Sequence, residues 1–385
     1  MGPDRSRVLK AGAGVVAASL LTSKSAATAE APDGGGPYEA NAYGAGGATE
    51  PLKAIQIKRR AMDPEDVVLD ILYCGVCHSD IHTVRGEWGP AHYPCVPGHE
   101  IIGRVRAVGA KVTKFKIGDI GGVGCMVNSC RTCEHCQEDL EQYCLNGATF
   151  TYDTPDQSSK AGFTQGGYSD KIVVMEHFVI RIPPGANLAA MAPLLCAGVT
   201  TFSPMRDWKL GRGQRVCVIG LGGLGHAAVK LAAAHNAHVT VFTTSPGKLA
   251  DVKRLGASEA ILSTDADAMK QLASQFDLLI STVPQAYPME PFTELLKLDG
   301  TLVNVGAMAP LDNINGLKLA VGRRAIAGSI IGGIAETQEV IDFCSVRNIT
   351  ADIEMIPPTE INKAFDRVVK KDVRYRFVVD MGAKA

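Results

Sequence analysis

The sequence predicts an α/β protein built from a β-rich part and a doubly wound parallel sheet, and three observations lead to that prediction. Short apolar runs separated by Pro and Gly follow one another from residue 51 to about 184, as in β-rich domains. From residue 215 onward, strand-length apolar runs alternate with helical stretches, which is typical of a parallel sheet. The length of 385 residues is sufficient for two domains with separate cores.

The elements follow from periodicity and from the turn residues between them. Predicted strands, in chain order, lie at Lys53–Lys58, 66–73, Ile101–Val108, Arg215–Ile219, His238–Thr243, 278–281, 301–305 and 375–380. Predicted helices lie at 220–236, 291–298 and 337–347. Beyond residue 329 the chain is expected to return to the β-rich part. Two domains are therefore predicted. The first is discontinuous and consists of residues 37–186 and 329–385, and the second consists of residues 187–328.

Composition excludes several classes of partner. The formal net charge is −1 and 46% of the residues are apolar, so no strong field exists to attract nucleic acid or an anionic membrane. The chain has eleven cysteines, many at short spacings, and in a chain this long that pattern favours metal ligation over a disulfide framework.

Residues 1–36 are predicted to be a leader and linker outside the fold. Arg5 and Arg7 precede an apolar run at 11–21 and a small-residue Ala27-Thr28-Ala29 site, which is the layout of an export signal. The arginines resemble a twin-arginine signal but are interrupted by Ser6, so the signal is degenerate. A disordered Ala/Gly-rich leader is the alternative. The apolar run is too short to span a bilayer, which needs ~20 residues.

The stretch from Cys74 to Glu100 has the composition of a catalytic metal site. Such a zinc site uses three Cys, His or carboxylate ligands and leaves a fourth position open. Cys77 and His99 are the first two candidates, and Cys196, far along the chain, is the natural third. Taken alone, Cys77 or His99 would more often be an ordinary buried core residue.

A second cluster has the spacing C-x2-C-x2-C-x7-C and predicts a closed structural zinc site. Its four cysteines are Cys130, Cys133, Cys136 and Cys144. An iron–sulfur cluster would require a shorter last interval followed by proline. Cys125, just upstream, is interpreted as a plain buried thiol.

A glycine-rich motif lies between the strand Arg215–Ile219 and the next predicted helix, and a further strand follows it. The motif residues are Gly220, Leu221, Gly222, Gly223, Leu224 and Gly225. Strand, G-x-G-x-x-G and helix in this order are typical of a Rossmann dinucleotide site, where glycines allow the pyrophosphate to approach the helix N-terminus.

The end of the second strand of that unit predicts which dinucleotide binds. NAD sites place Asp or Glu about 20 residues beyond the glycines to bind the ribose 2′-hydroxyl. Position 245 is a serine, and Thr244, Ser245 and Lys248 offer hydroxyls and a cation without a carboxylate. This favours NADP(H), with a 2′-phosphate near these three residues.

Taken together, residues from about 38 to 380 resemble the zinc-dependent medium-chain alcohol dehydrogenases, and among them the cinnamyl-alcohol-dehydrogenase-like aldehyde reductases. The motifs that carry the resemblance are Cys77-His78-Ser79-Asp80, Gly98-His99-Glu100, the four-cysteine cluster, Leu195-Cys196-Ala197-Gly198, the glycine motif followed by His226, and 329–333. Two features depart from the family pattern: the leader, and Asn128 where an aspartate is expected.

The resemblance implies a GroES-like catalytic domain that is discontinuous in sequence, an inserted Rossmann domain and an active site between them. It also implies two Zn²⁺ ions per chain. Cys77, His99 and Cys196 would bind the catalytic ion, with Glu100 as a transient ligand. Asp80 would hold His99.

The remaining site residues are also implied by the resemblance. Ser79 and His82 would relay a proton. His78 would lie near the pyrophosphate, Thr200 near the nicotinamide, and Ser329 at the cofactor. Trp88 would line the substrate pocket.

The implied function is an NADP(H)-dependent alcohol dehydrogenase or aldehyde reductase that acts on a primary alcohol/aldehyde pair, aliphatic or aromatic. Three alternatives stay open: an NAD-linked polyol or formaldehyde dehydrogenase, a zinc-free quinone or enoyl reductase, and a non-enzymatic zinc-ribbon scaffold. Small-molecule substrates, no nucleic acid, no membrane span and a homodimer are expected. The cytoplasm is the expected location, with export through the degenerate signal as the alternative.

Overall fold

The computed structural model describes residues 36–306, 310–311 and 314–382. All of them belong to one compact unit, Gly34–Ala385. The predicted leader, apart from residue 36, lies outside the described residues, so its interpretation stays a prediction.

The strands of the described residues hold most of the buried apolar side chains. In chain order they are β1 (Glu39–Gly44), β2 (Lys53–Lys58), β3 (Asp66–Gly75), β4 (Ile101–Val108), β5 (Ile120–Val123), β6 (Met126–Asn128), β7 (Thr149–Phe150), β8 (Lys171–Met175), β9 (Ile180–Arg181), β10 (Arg215–Ile219), β11 (His238–Thr243), β12 (Glu259–Leu262), β13 (Phe276–Ser281), β14 (Leu296–Asn304), β15 (Ala325–Gly328), β16 (Ile353–Ile356) and β17 (Arg376–Asp380).

The helices are short, and several follow strands of the parallel sheet. They are α1 (His78–Val84), α2 (Glu134–Gln137), α3 (Leu188–Met191), α4 (Ala197–Asp207), α5 (Gly223–Ala234), α6 (Asp251–Leu255), α7 (Ala266–Gln271), α8 (Glu290–Thr293), α9 (Gly316–Ala320), α10 (Ile334–Val346) and α11 (Ile361–Val369). Single 3-10 turns occur at Glu141–Tyr143, Glu176–Phe178, Ala192–Leu195, Pro246–Lys248 and Pro358–Glu360.

The predicted parallel sheet is confirmed, and within the described residues it has six strands in the order β12-β11-β10-β13-β14-β15. This is the doubly wound order, in which the crossovers change direction beside β10. Ligands in such sheets bind outside the carboxyl ends of the strands at that point. The glycine motif directly follows β10 and therefore lies at this ligand-binding position.

The β-rich part forms a mixed sheet in the order β16-β17-β3-β4-β5-β9, and β8 also pairs with β3. The C-terminal strand β17 lies antiparallel to the end of β3, with Val379 opposite Cys74. The chain therefore returns to its first part after the parallel sheet, as expected, and the catalytic domain is discontinuous in sequence.

Helices between the two sheets join their cores. One apolar cluster includes Ile102 of β4, Leu195, Val199 of α4, Val229 of α5 and Val340 of α10. All of these side chains are at most 1% exposed. Burying apolar area of this kind is the main stabilising term in folding, so the two parts hold each other in one arrangement.

The helix predicted at 291–298 is wrong in its second half. Only Glu290–Thr293 is helical, and Leu296 already pairs with Phe276 in the sheet. Leu295 and Leu296 are consecutive buried residues, which fits a helix and a buried strand equally well in sequence. Pairing with β13 decides in favour of the strand.

None of the described helices could cross a membrane by itself. One bent pair, Leu188–Leu195 with Ala197–Asp207, passes the test of length and composition with a bend of 54°.

Candidate active site

A cleft of about 1360 Å³ lies between the mixed sheet and the carboxyl ends of the parallel strands. Cys77, His99 and Trp88 line it from one side, and Gly222 and Ser245 from the other. Pockets for one small ligand typically measure roughly 300–1000 Å³, so this cleft has room for a dinucleotide and a second molecule.

Four residues with metal-binding side chains meet at the bottom of this cleft. Cys77 follows β3, His99 and Glu100 precede β4, and Cys196 precedes α4. One ligand atom from each lies within 4.8 Å of the others. The side chains are nearly inaccessible, since the most exposed residue, Cys77, is 7% exposed.

This donor set fits a divalent metal ion. Glu100 is fully buried, and its Oε2 has no hydrogen-bond partner. Its other oxygen accepts from Arg376, with which it forms an ion pair. A buried carboxylate oxygen without a partner is costly, and a cation held by two sulfurs and an imidazole would satisfy it. Sulfur and nitrogen ligands in this combination are typical of zinc.

Asp80 organises the ligands around it. This carboxylate is fully buried and accepts hydrogen bonds from the backbone N–H groups of Cys77, at 2.9 Å, and Gly98, at 3.0 Å. Tyr168 donates its hydroxyl to Asp80 at 2.9 Å, and His99 Nδ1 lies 3.2 Å from Asp80 Oδ1. Asp80 therefore fixes the backbone beside two of the candidate ligands.

Two tyrosines of this environment were missed by sequence reasoning. Tyr168 and Tyr152 lie in irregular segments with no metal-site spacing, and only the tertiary fold brings them to Asp80 and His99. The Tyr152 hydroxyl lies 3.1 Å from His99 Nδ1. Because Nδ1 is engaged by Tyr152 and Asp80, Nε2 is the ring nitrogen left for a metal.

Cys125 is not the plain buried thiol that its sequence context suggested. It is partly exposed, lines the cleft and hydrogen-bonds to Cys196. This contact raises the pKa of the Cys196 thiol. The cause is the turn after β5, which brings Gly124 against the Leu195 carbonyl and so places its neighbour at the metal-binding cluster.

The predicted relay residues lie on α1 at the mouth of the cleft. Ser79 Oγ lies 3.5 Å from Cys77 Sγ. His82 is stacked between His78, with ring centroids 4.6 Å apart, and Trp88, at 4.8 Å. Glu87 accepts from His82 Nδ1. Burial lowers the pKa of His78.

The glycine motif forms the opposite wall. Gly220 adopts a φ of +93°, which only glycine accepts readily, and a Cβ on Gly225 would lie 2.1 Å from the Gly220 carbonyl oxygen. Gly220, Gly222, Gly223 and Leu224 line the cleft, whereas Gly225 serves the close packing of β10 and α5. A dinucleotide pyrophosphate fits at the N-terminus of α5.

Basic side chains gather where β11 ends. Thr244, Ser245 and Lys248 line the cleft, and Lys248 Nζ donates to the Leu221 carbonyl at 3.0 Å. Burial, together with the nearby Arg374 and Lys371, lowers the pKa of Lys248.

Three basic residues near the C-terminus were missed as candidates. Lys371 and Arg376 line the cleft, and Arg374 donates to the Gly247 carbonyl. The only signal in sequence was a run of basic residues at 370–376, which by itself indicates a solvated surface. Arg376 also packs against Gly223, so it lies between the glycine motif and Glu100.

Thr200 lines the cleft from α4, and its buried hydroxyl oxygen has no hydrogen-bond partner. Ser329 does not line the cleft: it is 8% exposed, and its N–H donates to the Asn304 carbonyl at 3.1 Å. Its neighbours Ile330 and Ile331 do line it.

The four-cysteine lobe, residues 128–145, holds the second cluster. The sulfurs of Cys130, Cys133, Cys136 and Cys144 lie within 4.8 Å of one another. The backbone N–H of Cys133 donates to Cys130 Sγ, and the backbone N–H of Leu145 donates to Cys133 Sγ. Such bonds, first among them the one from Thr132, lower the pKa of Cys130 to about 5. Four sulfurs clustered in this way fit a closed structural zinc site.

Comparison with known proteins agrees with this arrangement. Residues 63–184 match the alcohol dehydrogenase GroES-like domain, and residues 223–346 match the zinc-binding dehydrogenase family. The chain is 52% identical to the aldehyde reductase YahK of Escherichia coli over 341 residues, which cover 88% of this chain and 97% of that protein. It is 51% identical, with the same coverage, to NADP-dependent alcohol dehydrogenase C 1 of Mycolicibacterium smegmatis.

Among solved structures, a cinnamyl alcohol dehydrogenase of Sorghum bicolor superposes with a TM-score of 0.87 at 42% identity. The match covers 90% of this chain and 99% of that one. With a GroES-like part, a doubly wound sheet and metal-binding side chains in the cleft between them, the chain belongs to the zinc-dependent alcohol dehydrogenase family.

Proposed function

We propose that the chain catalyses hydride transfer between NADP(H) and a primary alcohol/aldehyde pair, with aliphatic or aromatic substrates. The observation that carries the proposal is the shared cleft: the cluster of Cys77, His99 and Cys196 faces the glycine motif across one cavity. Two relatives named as an aldehyde reductase and an NADP-dependent alcohol dehydrogenase support it.

In this proposal Cys77, His99 and Cys196 would hold the catalytic zinc, with Glu100 as a transient ligand. The four-cysteine lobe holds a second zinc with a structural role. When bound, the catalytic zinc supplies a Lewis acid that polarises the substrate oxygen. NADP(H) supplies or accepts the hydride. Arg376 holds Glu100 through its ion pair and so sets where that carboxylate can move.

The chain itself moves the proton. Ser79 lies next to Cys77 and takes the inner position, and His82 takes the outer position three residues along α1. Glu87 accepts from His82 Nδ1, so Nε2 is the nitrogen that can receive a proton. This pair would carry a proton between the buried reaction centre and solvent.

The substrate pocket is assigned to apolar side chains of the cleft near the metal-binding cluster. Trp88 is 50% exposed, Phe150 is 39% exposed, and both line the cleft, so they present apolar surface to a bound ligand. Ile330 and Ile331 lie in the same wall. An aromatic or aliphatic aldehyde would bury this surface.

The preference for NADP(H) over NAD(H) is assigned to the end of β11. The described residues there include Thr244, Ser245 and Lys248, with Arg374 beside Gly247. A 2′-phosphate would find hydroxyl donors and cations here. The NAD-linked polyol or formaldehyde dehydrogenase is the competing function for the same site, and the two cofactors distinguish them.

Further assignments accompany the proposal. Residues 37–186 and 329–385 form the catalytic domain and 187–328 the cofactor domain. The reaction takes place in the cytoplasm, where an NADPH pool is present, and the leader is retained or removed without export. N-terminal sequencing of the protein from cell fractions tests this location, and recovery from an external fraction would contradict it.

Substitution of the metal ligands tests the function. Cys77→Ser and His99→Ala should each remove one of two zinc ions per chain and abolish NADPH oxidation with aldehydes. NADPH binding, followed by its own fluorescence, should stay within about threefold, because the glycine motif is untouched. The zinc content is measured by mass spectrometry. Undiminished kcat in either variant would contradict the metal assignment.

A further inference from the structure

We propose that the four-cysteine lobe is part of the substrate-binding machinery, because Glu141 and Tyr143 hold the cleft segment 329–334 in position. Glu141 is in this view a positioning residue for aldehyde binding, although it lies outside the cleft. The inference rests on the proposed function for its substrate and on geometry for the contact itself.

Glu141 is a buried acid with both oxygens engaged. It is 1% exposed, which is rare for a glutamate on a small lobe. Its Oε1 accepts from His177 Nε2 at 2.7 Å, and its Oε2 accepts from the backbone N–H of Ile334 at 3.0 Å. Ile334 is the first residue of α10, so the carboxylate lies at the N-terminus of a 13-residue helix, where negative charge is stabilised.

Two further contacts tie the same segment to the lobe. The backbone N–H of Ile330 lies 3.4 Å from the Tyr143 hydroxyl. A Cβ on Gly333 would lie 1.8 Å from the Asp139 carbonyl oxygen, so the two backbones touch directly. Lobe residues therefore contact the segment at Ile330, at Gly333 and at Ile334, where α10 begins.

The segment itself needs such support. Ile331 has a φ of +43°, a left-handed conformation that a β-branched residue avoids. A backbone of this kind persists only when its surroundings determine it, and it is found most often at functional sites. Ile330 and Ile331 both line the cleft, so the strained residue is one that an aldehyde would touch.

The lobe therefore does more than stabilise its own loops. A zinc ion held by the four cysteines would fix its backbone, and Glu141 and Tyr143 connect that backbone to the wall of the substrate pocket. If Glu141 loses its carboxylate, the N–H of Ile334 and the imidazole of His177 lose their partner, and Ile331 can relax to an ordinary φ.

Three variants test this. Glu141→Ala removes the carboxylate. Glu141→Gln keeps an acceptor for Ile334, and its amide N–H can donate to the other tautomer of His177, so it should rescue the wild-type behaviour. Tyr143→Phe removes only a hydroxyl, so this variant should still fold even if Glu141→Ala does not. Glu138→Ala, an exposed acid on the same lobe, is the matched control.

The first measurement is hydrogen–deuterium exchange of the zinc-loaded protein. In Glu141→Ala the amides of 329–336 should exchange about tenfold faster or more, while those of β10 and α5 stay as in the wild type. Tyr143→Phe should show a smaller change confined to 329–331. Wild-type exchange at 329–336 in both variants would overturn the coupling.

The second measurement is steady-state kinetics with a small aliphatic and a bulky aromatic aldehyde. Glu141→Ala should raise KM for the bulky aldehyde about 5- to 20-fold, with kcat within about threefold, and Glu141→Gln and Glu138→Ala should match the wild type. Faster exchange with unchanged KM for both aldehydes would overturn the role in substrate binding. If the wild type reduces no aldehyde, the proposed function fails, and the exchange experiment still decides the coupling.

Discussion

His82 is the residue whose environment best fits a proton carrier. Its imidazole is stacked between His78 and Trp88, and Glu87 holds its Nδ1. The ring is fixed in orientation, and its side chain is 17% exposed, enough to exchange a proton with solvent. A fixed ring that touches water at the edge of a buried site is suited to passing protons one at a time.

Replacing His82 by Ala should lower kcat for aldehyde reduction about 10- to 1000-fold, the scale of one acid–base group. Zinc content and NADPH affinity should remain unchanged, because the substitution leaves both binding sites intact. Glu87→Gln, which keeps a hydrogen bond to the ring, should cost less than His82→Ala. Full activity of His82→Ala would require another route for the proton.

Ser245 is the proposed determinant of cofactor preference, and a single substitution tests that role. Ser245→Asp would place a carboxylate where a 2′-phosphate is expected and would repel it, while offering an acceptor to the ribose hydroxyl of NAD. The ratio of kcat/KM for NADPH to that for NADH should fall at least about tenfold. Thr240→Ser, a conservative change on β11 away from the cleft, serves as the control. An unchanged ratio of kcat/KM for NADPH to that for NADH would contradict the role of Ser245 in binding the 2′-phosphate.

At the scale of elements, α5 is tied to the C-terminal part of the catalytic domain by a buried histidine. His226 is fully buried, stacks on Tyr375 with centroids 5.1 Å apart, and places Nδ1 2.8 Å from the Gly223 carbonyl. The N–H of Asp352 lies 3.3 Å from its Nε2. Nδ1 therefore carries the proton and Nε2 accepts, which holds the ring neutral.

This neutral histidine makes the protein sensitive to acid. Burial, with help from Arg376 and Lys230, lowers the pKa of His226 from 6.5 to about 3. Below pH 6.5 the unfolded chain therefore binds a proton at this histidine that the folded chain does not bind. The contribution of neutral His226 to the free energy of unfolding is fully present above pH 6.5 and is lost as the pH drops from 6.5 toward 3. The loss is at most about 1.4 kcal/mol per pH unit.

Urea unfolding at pH 7, 6, 5 and 4 measures this effect. His226→Gln, which cannot charge, should be less stable than the wild type at pH 7 and should lose less stability between pH 6 and 4, so that the two curves converge. His238→Gln, an exposed histidine on the neighbouring strand, should follow the wild type at every pH. Parallel curves for His226→Gln and the wild type would rule out His226 as the cause.

At the scale of the whole molecule, the parallel sheet ends at β15, which has no second neighbour among the described residues. β15 is an edge of the sheet, and just before it Leu317 and Val321 are 70% and 72% exposed. The backbone N–H and C=O groups of an edge strand can pair with another chain, and exposed apolar side chains beside that edge would be buried by such pairing. We therefore propose that, in the homodimer expected from the sequence, a second copy places its own β15 antiparallel to this one.

Analytical ultracentrifugation tests the homodimer. The wild type should sediment at twice the mass of one chain, and Leu317→Glu with Val321→Glu should shift it toward the monomer, because charges would be buried at the contact. Val346→Glu changes a residue that is 80% exposed on α10 and should leave the dimer intact. A monomeric wild type at micromolar concentration would contradict this assembly.

The sequence by itself determined the features that depend on local spacing. The strands β2, β4, β10 and β11 were predicted to the residue, because apolar runs bounded by turns leave little choice of pairing face. The glycine motif and the four-cysteine cluster could also be read directly, since each lies within one short stretch of sequence.

The tertiary structure alone decided the features that depend on convergence of distant segments. Arg376 meets Glu100 across 276 residues, Glu141 meets Ile334 across 193, and Cys125 reaches Cys196. The boundary between α8 and β14 was decided by pairing with β13. The physical reason is the same in each case: side-chain periodicity records which face of an element is buried, but which groups share that buried space is set by how the sheets and helices pack.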